Sequence, residues 1–334
     1  MKNKYSFKFG VIVLSLVLIA CSGGSVDAGC PEIDGREINV VATTPMIGEF
    51  VRNVGGDNIN LTVLMPPEAD PHSYEPAPQD AGTIADADLV FYTGLMYEPA
   101  PLIELLENSV CGSEALAEVG ESVFPIEFKE GGHDDHDDHG EKGHDDHDDH
   151  GGHEGHGHGA YDPHFWFDPN RVVYASEFIE SKLIELDPSN AASYQAAGDT
   201  YATELSSLTG QVSQLIGSIP SQNRKLITTH ESLGYLEAKF GLEVLSTIIP
   251  DLDSSNEITP AQLVGVIDVI EDNNVKVIFI EAEAPSVYAE TIVAETGIKA
   301  VEGLWVETLK PGQTYQEFLI AAVELIVENL SNSD

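Results

Sequence analysis

The fold of this chain is limited above all by a repeated alternation of short β-rich runs with segments of helical periodicity. Strands that alternate with helices form parallel sheets whose faces the helices cover. The runs fall into two sets, one before about residue 187 and one after about residue 220. We therefore expect an α/β protein of two lobes, each a parallel sheet flanked by helices. The β-rich runs lie at residues 38–43, 60–65, 88–93, 225–229, 243–247 and 275–280.

A long stretch with helical spacing lies between the two sets. It begins at Asp187-Pro188-Ser189-Asn190, and apolar or aromatic residues then recur every three or four positions. We expect one helix over residues 188–219, about 45 Å long at 1.5 Å per residue, that joins the lobes as a rigid rod. A surface helix with a break at Gly210 is the alternative. The expected lobes then cover residues 38–187 and 220–332.

The N-terminus has the pattern of an export signal. Three lysines among the first eight residues precede an apolar run at 11–20, which is too short to span a bilayer. The run ends in Leu18-Ile19-Ala20-Cys21, which resembles a prokaryotic lipobox. We expect residues 1–20 to be a lipoprotein signal peptide, Cys21 to be lipidated and residues 21–37 to be a tether. An ordinary cleaved signal that contains a cysteine is the alternative.

Export also bears on the other two cysteines, Cys30 and Cys111. Outside the cytoplasm a pair of thiols can oxidise, so these two residues form a possible disulfide. Two free, buried thiols are the alternative, because spacing in the sequence does not show whether the Cα atoms approach each other.

The chain is strongly acidic, and one segment departs from the composition of the rest. Lysine and arginine number 15 against 57 acidic residues, a formal net charge of −42, which argues against a nucleic-acid partner. Residues 130–159 hold two copies of Gly-His-Asp-Asp-His-Asp-Asp-His-Gly and almost no apolar side chain. Such a segment cannot offset its ordering entropy by burial, so we expect a disordered loop.

The histidines of this loop suggest a role in metal capture. Imidazole and carboxylate groups in a flexible chain suit borderline divalent metals such as Zn²⁺. Low-complexity sequence that serves only to keep the chain solvated would explain the aspartates but not the histidines. We therefore expect many weak zinc sites in this loop. Its histidines are His133, His136, His139, His144, His147, His150, His153, His156 and His158.

Three histidines stand outside the loop: His72, His164 and His230. Each lies in a loop-like or strand-end context. In open α/β sheets ligands bind beyond the carboxyl ends of the strands, where His72 and His230 are expected. A single histidine is more often a hydrogen-bonded structural residue, but three in similar settings favour a shared metal site.

Five segments resemble the cluster A-I solute-binding proteins, the zinc and manganese receptors of metal ABC importers. The resemblance extends over essentially the whole mature chain. It implies two lobes joined by a rigid helix, and a receptor that hands its metal to a membrane ABC permease and the ATPase of that importer. The matching segments are Asp70–Pro76, Ala87–Leu95, Asp162–Trp166, Thr229–Tyr235 and Val277–Glu281.

The same resemblance implies the metal ligands. His72, His164 and His230 match the first three ligand positions of the family. The fourth, usually an acid before the last helix, maps onto Glu307, where aspartate is commoner in the family. The alternatives for the fourth ligand are a water molecule, Glu231 or Glu281.

Three imidazoles and one carboxylate favour tetrahedral Zn²⁺ over Mn²⁺, which prefers more oxygen ligands. The resemblance adds that manganese-selective relatives carry a carboxylate where this chain has His230, and that zinc-specific members carry a histidine-rich loop. We expect a high-affinity zinc receptor, exported and anchored by lipid on the outer side of the cytoplasmic membrane or in the periplasm, and monomeric. A manganese or iron receptor of the same family and a metal-dependent adhesin are alternatives.

A zinc hydrolase is the remaining class. Catalytic zinc keeps one position open for water, which a fourth ligand at Glu307 would close. The sequence has no HExxH motif, and the candidate ligands are spread from residue 72 to residue 307. We therefore expect a binding protein and not an enzyme.

Overall fold

The computed structural model describes residues 30, 33, 35–128, 161–254, 256–284 and 287–331. The expected signal peptide, the expected lipidation site Cys21, most of the tether and the nine loop histidines lie outside the described residues. The predictions that concern them therefore remain predictions.

The first lobe is built on a four-stranded parallel sheet. Its strands are β1 (Ile38–Ala42), β2 (Ile59–Val63), β3 (Leu89–Tyr92) and β4 (Leu116–Glu118). They lie in the order β2-β1-β3-β4, so the chain changes direction across the sheet between β1 and β3. The sheet is flanked by α1 (Pro45–Gly55), α2 (Pro78–Ala85), α3 (Ala100–Ser109) and α4 (Pro169–Leu186).

Helix α5 (Ala191–Gly217) connects the lobes and has 27 residues. A single 3-10 turn, Pro188–Asn190, leads into it. The helix runs without interruption through Gly210, so the alternative of a break there is wrong. Its buried face repeats every three or four residues as expected, and includes Tyr194, Tyr201, Leu205, Leu208, Val212 and Ile216.

The second lobe repeats the architecture of the first. Its strands are β5 (Lys225–Thr228), β6 (Glu243–Thr247), β7 (Val277–Glu281) and β8 (Lys299–Leu304), in the order β6-β5-β7-β8 and all parallel. Its helices are α6 (Gly234–Phe240), α7 (Pro260–Asn273), α8 (Ala289–Thr296) and α9 (Tyr315–Ser331). The predicted fold class, two parallel-sheet lobes joined by one long helix, is confirmed.

Two strands, β4 and β8, were not predicted from the sequence. Both lie at the edge of their sheets. Strand β4 has only three residues, and β8 contains Gly303 and an exposed Glu302, so neither forms the apolar, β-branched run that marks a buried central strand.

The two lobes share one apolar core. The largest cluster of buried apolar side chains extends from α1, α4 and α5 to α9 of the second lobe. Helix α5 packs against α1, α4 and α9. The lobes are therefore held together by packing along the connecting helix as well as by the chain itself.

The segment before β1 is attached to the first lobe by a disulfide. Cys30 and Cys111 are bonded in the structure, with their Cα atoms 5.0 Å apart. Cys111 lies just beyond α3. No helix among the described residues is both long enough and apolar enough to cross a membrane.

Candidate metal centre

His72 is presented by a capped turn beyond the end of β2. The 3-10 turn Pro71–Ser73 carries it, and Oδ1 of Asp70 accepts the backbone N–H of His72 at 3.0 Å. Only 5% of the imidazole side chain is exposed. The turn therefore directs the ring of His72 into the protein interior, between the lobes.

His164 is presented by the same three-residue motif. In Asp162-Pro163-His164, Oδ1 of Asp162 accepts the backbone N–H of His164 at 2.8 Å. The same oxygen lies 2.8 Å from Nδ1 of the His164 ring. Nδ1 therefore donates to Asp162, and Nε2 faces the centre, where it offers a lone pair to a metal once the ring is neutral. The turn Phe165–Phe167 and helix α4 follow directly.

His230 comes from the second lobe, beyond the end of β5, where the strand order reverses between β5 and β7. Glu281 ends β7, and its Oε2 lies 2.5 Å from Nδ1 of His230. The other oxygen of Glu281 accepts the backbone N–H of His230 and the hydroxyl of Ser232, both at 3.2 Å. Glu281 therefore orients His230, and it is not among the four residues whose donor atoms converge. Glu231 instead accepts the hydroxyl of Thr247 at 3.0 Å.

The structure brings His72, His164, His230 and Glu307 together. One donor atom from each lies within 4.8 Å of all the others. Oε1 of Glu307 is 2.8 Å from Nε2 of His230, 3.2 Å from Nε2 of His164 and 3.5 Å from Nε2 of His72. Zinc bonds of 2.0–2.1 Å in a tetrahedron place the donor atoms about 3.3 Å apart. The distances from Oε1 of Glu307 to the three rings lie close to this value, so the four donors could hold one metal ion.

One ring nitrogen of the site lacks a hydrogen bond within the described part of the chain. Nε2 of His72 is buried and makes no hydrogen bond to the described residues, and it lies 3.5 Å from Oε1 of Glu307. A buried polar atom without a hydrogen bond destabilises the fold. A divalent cation at the centre of the four donors would bind this nitrogen.

The charges of the site oppose one another. Burial raises the pKa of Glu307, but the facing rings of His164 and His72 hold it well below its usual range. Burial lowers the pKa of His164, yet Glu307 and Asp162 raise it to about 9. The pKa of His230 is also well above its usual value, because Glu281 and Glu307 outweigh the effect of burial. Without a metal, protonated rings therefore balance the buried carboxylate.

The backbone that carries Glu307 is held by a second, half-buried glutamate. Oε1 of Glu283 accepts the N–H groups of Val306, Glu307 and Thr308 at 3.1, 3.0 and 3.2 Å. Across the lobe boundary, the indole N–H of Trp166 donates to the carbonyl of Val306 at 2.8 Å. Glu307 is thereby fixed relative to both lobes.

Sequence reasoning did not identify all of the residues that support the site. Asp162 could have been found, because both His72 and His164 are the last residue of an Asp-Pro-His motif. Tyr97, which contacts Glu307, and Glu283 belong to no recognisable sequence motif. The role of Tyr97 depends on the way the two lobes meet, and that of Glu283 on the way the segments after β7 and β8 meet.

Two lobes that each supply two donors to one buried site define a metal-binding receptor. His72 and His164 come from the first lobe, and His230 and Glu307 come from the second. The family model of ZnuA, zinc-uptake complex component A, periplasmic, matches residues 40–329. The chain therefore belongs to the ZnuA family of substrate-binding receptors of metal ABC transporters. This is a family of receptors and not of enzymes.

Similar proteins cover nearly the whole chain. The manganese-binding lipoprotein MntA of Halalkalibacterium halodurans is 25% identical over 98% of this chain and 99% of its own length. The manganese ABC transporter substrate-binding lipoprotein PsaA of Streptococcus anginosus is 28% identical over 96% of this chain and 97% of its own. The periplasmic zinc-binding protein TroA of Treponema pallidum has a similar structure, with a TM-score of 0.73 and 22% identity over 89% of this chain and all of its own.

Replacing Glu281 with glutamine should lower zinc affinity by about 10–100-fold while leaving the fold intact. The amide still fits beside Nδ1 of His230, but it no longer provides the negative charge that makes this ring a stronger donor. Calorimetric titration of the metal-free protein measures the effect. Glu243→Gln is the matched control, because this exposed residue of β6 lies on the surface of the second lobe. Equal affinities for the two variants would contradict the role given to Glu281.

Zinc binding should release protons at pH 7. The pKa of about 9 means that His164 is protonated below that pH in the metal-free site, and the raised pKa of His230 acts in the same direction. A ligand imidazole must be neutral, so zinc displaces these protons and its affinity falls as the pH drops below about 9. Calorimetry in buffers of different ionisation enthalpy counts the protons. Binding without proton release at pH 7 would contradict the site.

Proposed function

We propose that this chain is a zinc receptor, which binds Zn²⁺ between its lobes through His72, His164, His230 and Glu307 and delivers it to an ABC importer. The observation that carries the proposal is the donor set, three imidazole nitrogens and one carboxylate oxygen that lie within 4.8 Å of one another. Zinc accepts this set and geometry, whereas manganese prefers more oxygen donors and a higher coordination number. The residues account for a complete coordination shell, so the bound metal is cargo and not a catalyst.

Manganese is the second candidate cargo. MntA and PsaA, which are similar to this chain, are named for manganese. At 25% and 28% identity, however, the ligand at each position is free to differ between the proteins. The imidazole of His230 is a nitrogen donor of this chain itself, and it favours zinc.

The connection between the lobes supports uptake and release by small movements. The shared core along α5 and the Trp166–Val306 hydrogen bond link the lobes through contacts that involve no metal-ligand atom. We propose that the lobes settle around the ion, and that docking to the permease and its ATPase then strains the site and frees the metal. Lipidation of Cys21 would keep the receptor at the membrane surface outside the cytoplasm.

The histidine-rich loop is proposed to collect zinc for this site. Glu127 and Tyr161 form an antiparallel bridge, so the chain leaves for the loop and returns from it at one place. Tyr161 directly precedes Asp162, which orients His164. Residues 130–159 end close in sequence to His164, so zinc held by the loop would be released near a ligand of the interlobe site.

The proposed function predicts that the metal-free protein binds one equivalent of Zn²⁺ tightly at the interlobe site and takes up no Mn²⁺ at micromolar concentration. Nitrogen-rich sites favour zinc over manganese in general, so the absolute manganese affinity is the discriminating quantity. Metal analysis after dialysis, followed by competition, measures both. His164→Ala should abolish the tight site, because only three protein ligands remain and water takes the fourth position. Tight binding of Mn²⁺ by the wild type would instead make manganese the cargo.

Deletion of residues 131–159 should lower the number of zinc ions bound while one tight site remains. The loop supplies many weak sites and the interlobe ligands lie outside it, so the two contributions separate in a calorimetric titration. A chain of full length with the nine loop histidines changed to serine is the matched control, and it should behave like the deletion. Loss of the tight site in either variant would show that the interlobe site is wrong.

A further inference from the structure

Tyr97 makes a direct contact with the carboxylate of Glu307, across the boundary between the lobes. Its buried hydroxyl donates to Oε2 of Glu307 at 2.8 Å. The three ring nitrogens all face the other oxygen, Oε1, at 2.8, 3.2 and 3.5 Å. The two carboxylate oxygens therefore have different partners: one faces the metal position and the other is held by tyrosine.

The chain before Tyr97 adopts a costly backbone conformation. Gly94, Leu95 and Met96 have φ values of 75°, 54° and 64°, so two non-glycine residues in succession occupy the left-handed region. Such conformations persist where surrounding contacts impose them, and they are concentrated at functional sites. The turn brings Tyr97 inward and leaves the side chain of Met96 72% exposed.

Two carboxylates hold this turn in place. Buried Glu98 accepts the N–H groups of Thr93 and Gly94 at 2.7 and 2.9 Å. Glu118, on β4, accepts the N–H of Leu95 at 2.9 Å. The ring of Tyr97 is also packed edge-on against His72, with centroids 5.0 Å apart, and against Trp166 at 5.4 Å. The hydroxyl of Tyr97 is therefore positioned by rigid neighbours before any metal arrives.

We propose that Tyr97 determines metal specificity: by holding Oε2 of Glu307, it limits this carboxylate to one donor oxygen and the bound cation to four ligands. The inference rests on the proposed function and adds the residue that sets the coordination number. A carboxylate that binds through both oxygens would raise the number to five and add an oxygen donor. Manganese gains from that change and zinc does not, because zinc is satisfied by four ligands while manganese prefers more.

Rotation of Glu307 to a two-oxygen mode would also break the hydrogen bond of Tyr97. The hydroxyl is fully enclosed and its other contact is the backbone carbonyl of Glu307 at 3.3 Å, so it would keep only this longer hydrogen bond to a neutral acceptor, without gaining water. The tyrosine thus disfavours the higher coordination number even for a cation that prefers it. A phenylalanine at this position would remove that restraint without changing the packing of the ring.

The test is Tyr97→Phe, with Tyr201→Phe as the matched control. Tyr201 is a buried tyrosine of α5 whose hydroxyl has no hydrogen-bond partner among the described residues. Each variant is loaded with Co²⁺, which absorbs visible light far more strongly in four-coordinate than in five- or six-coordinate sites. Affinities for Zn²⁺ and Mn²⁺ are then measured. For Tyr97→Phe we expect weak bands and a ratio of zinc to manganese affinity reduced by about 10-fold or more. Tyr201→Phe should match the wild type in both.

The result that overturns the inference is a Tyr97→Phe protein with the strong bands and the affinity ratio of the wild type. If the wild type in that experiment is four-coordinate and prefers zinc, the proposed function still holds and only the role of Tyr97 is rejected. A wild type that binds Mn²⁺ tightly and shows weak bands would overturn both. If Tyr97→Phe does not fold, zinc X-ray absorption of the wild type decides. Four nitrogen or oxygen ligands around the zinc support the role of Tyr97, and five overturn it.

Discussion

A buried carboxylate that faces three imidazoles is the interaction on which the rest of this structure depends. Glu307 is fully enclosed, and so are His164 and His230. A charged group in such a place is stable only if opposite charge or a metal balances it. Without metal the balance comes from protons on the rings, and with metal it comes from the cation. The buried carboxylate is therefore balanced in either state.

Further acidic residues hold this arrangement in place from outside. Asp162 and Glu281 accept from the outer nitrogens of His164 and His230, and Glu283 holds the backbone of the segment that bears Glu307. Each of these contacts fixes a ring or a turn, so little rearrangement is needed when the cation binds. The shared core along α5 extends the same rigidity to the lobes as a whole. A receptor built in this way keeps its ligands near their final positions.

The sequence predicted the architecture and the four residues that converge, three from the chain's own pattern and Glu307 through the resemblance to a family, for physical reasons that do not extend to the residues around them. Central strands such as β1 and β7 are buried on both faces and therefore form recognisable apolar runs, whereas the edge strands β4 and β8 do not. His72, His164 and His230 could be singled out because they are the only histidines outside the acidic loop. Glu307 is one of many glutamates, and only the resemblance to a family distinguished it. Tyr97 and Glu283 could not be found, because their contacts depend on side-chain directions across a boundary between elements distant in the chain.

The central claim is that four residues from two lobes converge on one divalent cation. A crystal structure of the zinc-loaded protein, with anomalous diffraction recorded above and below the zinc absorption edge, tests it most directly. The account predicts one strong anomalous peak about 2.0–2.1 Å from the Nε2 atoms of His72, His164 and His230 and from one oxygen of Glu307. A zinc peak elsewhere, with these rings several ångströms from it, would contradict the account.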